Sequence, residues 1–405
     1  MILNRKQYLD RVKAFMHQDI IKILTGIRRC GKSRLLSLIR EELLQQGVPQ
    51  SHILLVNFES FQLDFEKTVK AVYAAVQALT KQAAGKKVYL LFDEIQEIEH
   101  WERVVNACQI DFDCDIYLTG SNAYVLSSEL STYLSGRYIE IQVYPFSFRE
   151  VWEYGVLNEK TATKEQAFEK YLNLGGLPFI HQNSLSPENA RVYLEDVFES
   201  VLVKDIIARN KVRDIDTLRR ILIYCVANSG RMFSASSIVK YLKHEHLSIS
   251  LDTLYRYIEY FKASCLVLPV SRFDIKGKEV LRFQQKLYLS DHGFRLVAFS
   301  SNVRDIELIL ENLVLLHLLQ YGYTVFTGHL DGVEIDFVAH KGEQLLYIQV
   351  CYLLASEETR EREFGNLERI RDNFPKYVVS MDPIRQGRNG IEHSHIIDFL
   401  LSEPL

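Results

Sequence analysis

The stretch I-I-K-I-L-T-G-I-R-R-C-G-K-S, Ile20 to Ser33, decides how the rest of the chain is read. An apolar run, Ile20–Leu24, enters a glycine turn, and the turn opens a helix. Gly26, Gly31, Lys32 and Ser33 fit the pattern G-x-x-x-x-G-K-[ST]. Glycines let the backbone curl so that successive N–H groups point inward at phosphate oxygens. The helix that starts near Lys32 adds the positive end of its dipole. Lys32 is placed to reach the β- and γ-phosphates and Ser33 to put its hydroxyl on Mg²⁺. The other loop residues, Arg28, Arg29, Cys30 and Arg34, are expected to line the same phosphates. A chance match in a glycine turn is the bland alternative. The strand before and the amphipathic helix after, with Leu35, Leu36, Leu38, Ile39 and Leu43, argue against it. Cys30 reads as a small residue that fits the loop rather than as a redox switch.

Four more strand-like runs follow: Ile53–Phe58, Val88–Phe92, Ile116–Thr119 and Tyr138–Val143. Apolar runs buried on both faces and separated by helical patterns predict a parallel sheet covered on each side. The run from Val88 delivers two acids at its C-terminal end, where ligands bind in open α/β sheets. Asp93 is expected to hold Mg²⁺, together with Ser33. Glu94 is expected to deprotonate the attacking water. A pair of surface acids ending a strand is the alternative. The run Cys114–Thr119 ends in T-G-S-N. Asn122 and Ser121 are candidates to sense the γ-phosphate, with Thr119 ranked behind them, or to cap a helix over Ala123–Leu130. Arg137, after a glycine, is a candidate to reach the γ-phosphate of its own or a neighbouring subunit's nucleotide, against a structural ion pair.

At 405 residues the chain predicts two to four domains. Its 47% hydrophobic and 25% charged residues describe a globular protein with ample core. A net charge of -4 announces no whole-chain affinity for nucleic acid. The six cysteines form no C-x-x-C pair, which argues against a zinc ribbon and for a reducing compartment. The N-terminus does not read as a signal peptide, and the most apolar run, Leu308–Leu319, is broken by Glu311, Asn312 and His317. A cytoplasmic location without a membrane partner is expected.

The first region resembles the AAA-type ATPases, in particular a large prokaryotic family. The resemblance rests on Gly26–Ser33, Leu91-Phe-Asp-Glu-Ile-Gln96, Trp101-Glu102, Thr119-Gly-Ser121, Gly136-Arg-Tyr138 and Tyr144-Pro-Phe-Ser-Phe148. It implies ATP and Mg²⁺ as cofactors and ATP hydrolysis as the activity. Its C-terminal part is usually called a domain of unknown function.

Downstream, Tyr171–Pro178 is a glycine–proline break and Ala190–Ala208 reads as one helix, together a lid or connector. Three helical patterns, Ile215–Ala227, Ala235–Leu242 and Leu251–Phe261, precede two β-runs, Cys265–Phe273 and Val280–Leu289; this is the pattern of a winged helix. From Lys240 to Lys286 nine basic residues stand against five acids, a local excess that fits phosphate contacts with DNA. A winged helix used only for protein contacts fits as well. The last region, with the helix Ile306–Gln320, strands at Tyr323–Thr327, Val333–Ala339, Leu345–Cys351 and Lys376–Ser380, and a helix at Glu361–Arg371, looks like the restriction-endonuclease-like fold. Glu311 and Asp336 match its metal-binding acids; Gln349 and Cys351 stand where an acid and a lysine are expected, which argues against nuclease activity. The fold class expected is therefore α/β: an AAA-type ATPase with a P-loop over 1–148, a helical lid over 149–213, a winged helix over 214–295 and a degenerate nuclease-like domain over 296–405. The function expected is ATP hydrolysis coupled to rearrangement of the C-terminal half. A nucleotide-gated DNA-binding or scaffold protein with little turnover is the alternative, and a metal-dependent nuclease a third. DNA through the winged helix, a protein partner and a homo-oligomer remain open as partners.

Overall fold

The computed structural model describes residues 3–62, 65–120, 136–160, 163–299 and 305–404, without the side chains of 281–284. The chain divides into two compact units, one of Ile2–Tyr144 with Ala263–Cys265, the other of Pro145–Lys262 and Leu266–Leu405.

The first unit is a sheet of β1 (Ile21–Thr25), β2 (Ile53–Asn57), β3 (Val88–Asp93), β4 (Cys114–Thr119) and β5 (Tyr138–Gln142). The order is β2-β3-β4-β1-β5, and every neighbouring pair is parallel. β1, β3 and β4 are buried along their whole length, which is why they read as unbroken apolar runs. Helices Lys32–Gln45, Val69–Gln82 and Trp101–Asp111 connect the strands. Val72 and Val76 of the second and Val104 and Val105 of the third close over Ile23, Leu90, Phe92 and Leu118 of the sheet. Lys22, the one charge inside β1, pairs with Asp115 of β4 at 2.5 Å, and the Tyr117 hydroxyl donates to the same carboxylate at 2.7 Å. A charge taken out of water needs such partners.

In the second unit, helices Phe148–Leu157, Lys164–Leu174 and Pro187–Ser200 come first. The single helix expected over 190–208 changes at Val201 to a π-helix, Val201–Ala208, which buries Val201, Leu202, Asp205 and Ile206. The glycine–proline break has a packing reason. Asp291 accepts hydrogen bonds from Gly176 N (2.9 Å) and Gly293 N (2.8 Å), and a Cβ on Gly175 would stand 2.0 Å from its Oδ1. Gly175 also has φ +81°, where a side chain is strained.

Helices Ile215–Ala227, Ala235–His244 and Leu251–Ala263 precede a hairpin of β6 (Val267–Asp274) and β7 (Glu279–Leu289). Helix Ile306–Gln320 leads to β8 (Thr324–Leu330), β9 (Val333–Lys341), β10 (Gln344–Val350), β11 (Lys376–Ser380) and β12 (Glu392–His395). All seven strands form one sheet, β12-β11-β10-β9-β8-β6-β7. The hairpin expected as the wing is joined to it, because β6 runs parallel beside β8 from Arg272↔Thr327 to Asp274↔His329. Strands on both sides of 295/296 therefore share one sheet, and the long stretch of the first unit closes at Tyr144. The helix expected at Glu361–Arg371 spans Glu357–Glu368 instead, because Ser356 caps it by accepting from Thr359 N at 3.1 Å.

Candidate functional site

The loop from Gly26 to Gly31 leaves the C-terminal end of β1. Gly26 has φ +141°, and a Cβ there would meet Val143 O at 2.1 Å, so only glycine fits. Gly31 has φ 104° and stands immediately before the helix Lys32–Gln45. Arg5 supports the loop from behind, donating to Cys30 O (2.9 Å) and Tyr144 O (2.8 Å). The Cys30 thiol is buried, and burial pushes its pKa up, which agrees with a packing role. Lys32 is buried and its Nζ donates to Gly26 O (2.9 Å) and Ile27 O (3.1 Å), so the ammonium sits over its own loop. Arg28 pairs with Glu59 at 3.1 Å and Arg34 with Glu41 at 3.4 Å; Arg29 is exposed with φ 69°.

Three strand ends meet beside this loop. Ser33 Oγ donates to Asp93 Oδ1 at 3.1 Å. Thr119 Oγ1 donates to the same oxygen at 2.6 Å and accepts from Glu94 N at 2.9 Å. Thr119, placed behind Asn122 and Ser121 from the sequence, is among the described residues of its strand end the one that touches the acids; the adjacency of β3 and β4 brings it there. Burial holds the Asp93 carboxyl above its usual range, and the Thr119 and Ser33 hydrogen bonds oppose that rise. Glu94 turns out of β3 with φ 53°, a backbone conformation that costs energy in a non-glycine residue and recurs at functional sites. Its carboxylate accepts from Gln96 Nε2. Asn122 and Ser121, with the helix expected at 123–130, lie outside the described residues.

Arg137 is not brought to this cluster. Its carbonyl accepts from Ile21 N at 2.9 Å, at the opening end of β1, and Tyr138 pairs with Ile21. The phosphate loop leaves the other end of the strand, roughly 13 Å away at about 3.3 Å per residue. The expectation that Arg137 reaches the phosphates of its own chain fails on this topology.

The oxygen donors Ser33 and Asp93, in contact with each other, are the kind a Mg²⁺–nucleotide complex takes up, since Mg²⁺ uses one or two carboxylates beside the substrate phosphates. Among the described residues no three His, Cys, Asp or Glu side chains are grouped to hold a metal ion by themselves.

In the second unit Glu311 and Asp336, the two acids singled out from the sequence, are each held by neighbouring groups. Glu311 Oε2 accepts from the Tyr288 hydroxyl (2.8 Å) and Lys286 Nζ (3.3 Å). Lys286 also pairs with Glu334 at 2.8 Å. Asp336 Oδ2 accepts from Val350 N (2.8 Å), and Gln349 spans Asp336 N (2.7 Å) and Glu363 (2.9 Å). Burial and then Glu311 push the Asp336 carboxyl well above its usual range; burial raises Glu311 too, against Lys286. Lys286 of β7 is thus the cation beside Glu311, while Cys351 is a buried thiol. Of the nine basic residues counted for DNA, Lys286 is buried here, Lys262 pairs with Glu259 at 2.8 Å and Lys276 with Asp331 at 3.1 Å, so the local excess is partly neutralised within the protein. Among the described residues no helix is long and apolar enough to cross a membrane.

A parallel sheet of this order, with a phosphate loop after β1 and paired acids after β3, defines an AAA-type P-loop ATPase domain, and the protein is an ATP-binding protein of that class. Residues 18–152 match the family described as AAA domain, and residues 165–305 match a domain of unknown function (DUF8612). An uncharacterized protein of Haemophilus influenzae is 34% identical over 402 residues, 99% of each chain. One of Methanocaldococcus jannaschii is 30% identical over 93% of this chain and 85% of its own. The chain belongs to the family of these two proteins. Among solved structures, the Walker-type ATPase of Pyrococcus abyssi superposes with a TM-score of 0.50 at 17% identity, over 73% of this chain and 96% of that one, a likeness of fold.

Proposed function

We propose that the protein is a cytoplasmic, Mg²⁺-dependent ATP hydrolase whose nucleotide cycle rearranges its C-terminal half. The contact of Ser33 with Asp93, beside the buried Glu94, supports this reading most directly. Gly26–Ser33 bind the phosphates, with Lys32 leaving its loop carbonyls for the β- and γ-oxygens. Ser33 and Asp93 would hold the metal, which when bound would neutralise charge on the phosphates. Glu94 takes the proton of the attacking water as its oxygen bonds to the γ-phosphorus; the bond to the β-phosphate breaks and its electron pair leaves with ADP. Thr119 fixes Asp93 and the Glu94 backbone. Arg137, remote from its own loop, would contact a nucleotide only in a neighbouring copy. The second unit, in this reading, is a winged helix fused to a nuclease-like sheet, and it meets duplex DNA through the exposed Lys240, Lys243 and Arg256.

The test is turnover and nucleotide binding by the wild type, Lys32→Ala and Glu94→Gln. Lys32→Ala weakens binding. Glu94→Gln keeps it and loses turnover by about 10²–10⁴-fold. Normal turnover in Glu94→Gln would sink the assignment. ATP bound but not hydrolysed by the wild type would make the protein a nucleotide-gated scaffold instead.

A further inference from the structure

A groove of about 1170 Å³ lies between the tip of the β6–β7 hairpin, the faces of β9 and β10, and the segment after the helix Glu357–Glu368. Small-molecule pockets occupy roughly 300–1,000 Å³, so this groove has room for a passing segment of polymer as well. Rings line it. Phe273 and His340 meet edge to face with centroids 5.6 Å apart, Tyr347 lies beneath, and Phe374 is 43% exposed at the rim. His340 Nε2 is buried and has no hydrogen-bond partner among the described residues.

The charges are uneven in a telling way. Each carboxylate lining the groove is already engaged: Asp331 by Lys276 at 3.1 Å, Glu368 by Arg388 at 2.8 Å, and Asp372 by Lys376 at 2.9 Å and the Tyr347 hydroxyl at 2.7 Å. Lys278, Arg369 and Arg371 line it too, are exposed, and make no ion pair with any described residue. The hairpin supplies one of these cations and the segment beyond the helix supplies two.

We propose that this groove binds single-stranded nucleic acid, with phosphates on Lys278, Arg369 and Arg371 and bases against Phe374 and His340. A duplex keeps its base faces stacked and offers none to these rings, whereas an unpaired strand offers every one. An acidic peptide would satisfy the cations and leave the rings unused. The groove is built entirely from the second unit, and binding there does not depend on hydrolysis.

Anisotropy of labelled oligothymidylate and oligouridylate, with blunt duplex DNA and polyglutamate as competitors, tests this on the full chain. Both single strands bind, and neither competitor displaces them at equal charge. The variant Lys278→Gln/Arg369→Gln/Arg371→Gln lowers the salt slope by about 2, since each single-strand phosphate contact contributes about 0.7; those contacts are worth about 20-fold in affinity between about 50 and about 200 mM salt. Phe374→Ala weakens binding by about 5- to 150-fold. These side chains are exposed, and an unchanged melting temperature shows that the variants fold. No binding of single strands, or an unchanged salt slope in the triple variant, overturns the proposal. So does polyglutamate that competes fully while Phe374→Ala has no effect, since the groove would then be a general anion surface.

Discussion

Replacing Lys286 by methionine asks what the buried carboxylate network contributes. The Lys286 side chain is 5% exposed, 3.3 Å from Glu311 and 2.8 Å from Glu334. Methionine keeps the volume and removes the charge. Glu334, 39% exposed, can turn to water, but Glu311, 10% exposed, keeps only the Tyr288 hydroxyl. Removing one partner of a buried pair costs about 3–5 kcal/mol. The remaining Tyr288 hydrogen bond puts the expected cost at the lower end, about 3 kcal/mol, or roughly 6–12 °C in the melting temperature of a unit this size. The loss depends on pH in a definite direction. Burial already holds Glu311 above its usual range with Lys286 opposing, so without Lys286 its folded pKa rises further. The folded variant then binds a proton that the unfolded chain, with a glutamate pKa of about 4.3, has released. Stability therefore recovers as pH falls through the raised folded value toward about 4.3. Calorimetric melting across that range measures it. Lys286→Met/Glu311→Gln regains most of the loss, because the buried Glu311 charge is gone and Glu334 can turn to water. A single variant within about 1 kcal/mol of the wild type at neutral pH, or a double variant that regains nothing, would refute the reasoning.

Thr119→Val removes the hydroxyl that donates to Asp93 and accepts from Glu94 N, at a cost of about 1–3 kcal/mol for the unpaired buried N–H. Losing that hydrogen bond also raises the Asp93 pKa, so ATP turnover falls and its acid limb moves to higher pH; an unchanged pH–rate profile speaks against the role given to Thr119. Burial pushes the Asp291 carboxyl up to about 7, above its unfolded value of about 3.9, so the folded protein carries the extra proton in between and loses stability as pH rises through about 7. Asp291→Asn, which cannot titrate, should remove that slope from melting curves; a persisting slope assigns it elsewhere. Plasmid, single-stranded DNA and RNA should stay uncut with Mg²⁺ or Mn²⁺, with and without ATP, because Glu311 and Asp336 are bound within their own network; cleavage that disappears in Asp336→Ala would expose a working active site.

How far the sequence could be read depended on the range of each contact. β1, β3 and β4 of the first unit were legible almost to the residue, because a parallel strand buried on both faces is a local apolar run and the phosphate loop is a contiguous motif. The contact of Thr119 with Asp93 was not legible because it follows from β4 lying beside β3, which no spacing along the chain encodes. The hairpin looked like a separate wing because its own two strands are local, while its pairing with β8 joins distant segments. The sequence offered Glu311 no cation close by along the chain; Lys286 of β7, 25 residues earlier, reaches it only because the fold brings the two elements together. The same limit affects counts of basic residues. Lys262, Lys276 and Lys286 counted toward a DNA surface although each has an internal carboxylate. A charge available to a ligand is one that remains after internal pairing, so it can be found only once the partners are known. By that standard the excess moves from the whole helix–hairpin segment to Lys240, Lys243 and Arg256 on the helices and to Lys278, which faces Arg369 and Arg371 across a groove that the linear sequence keeps far apart.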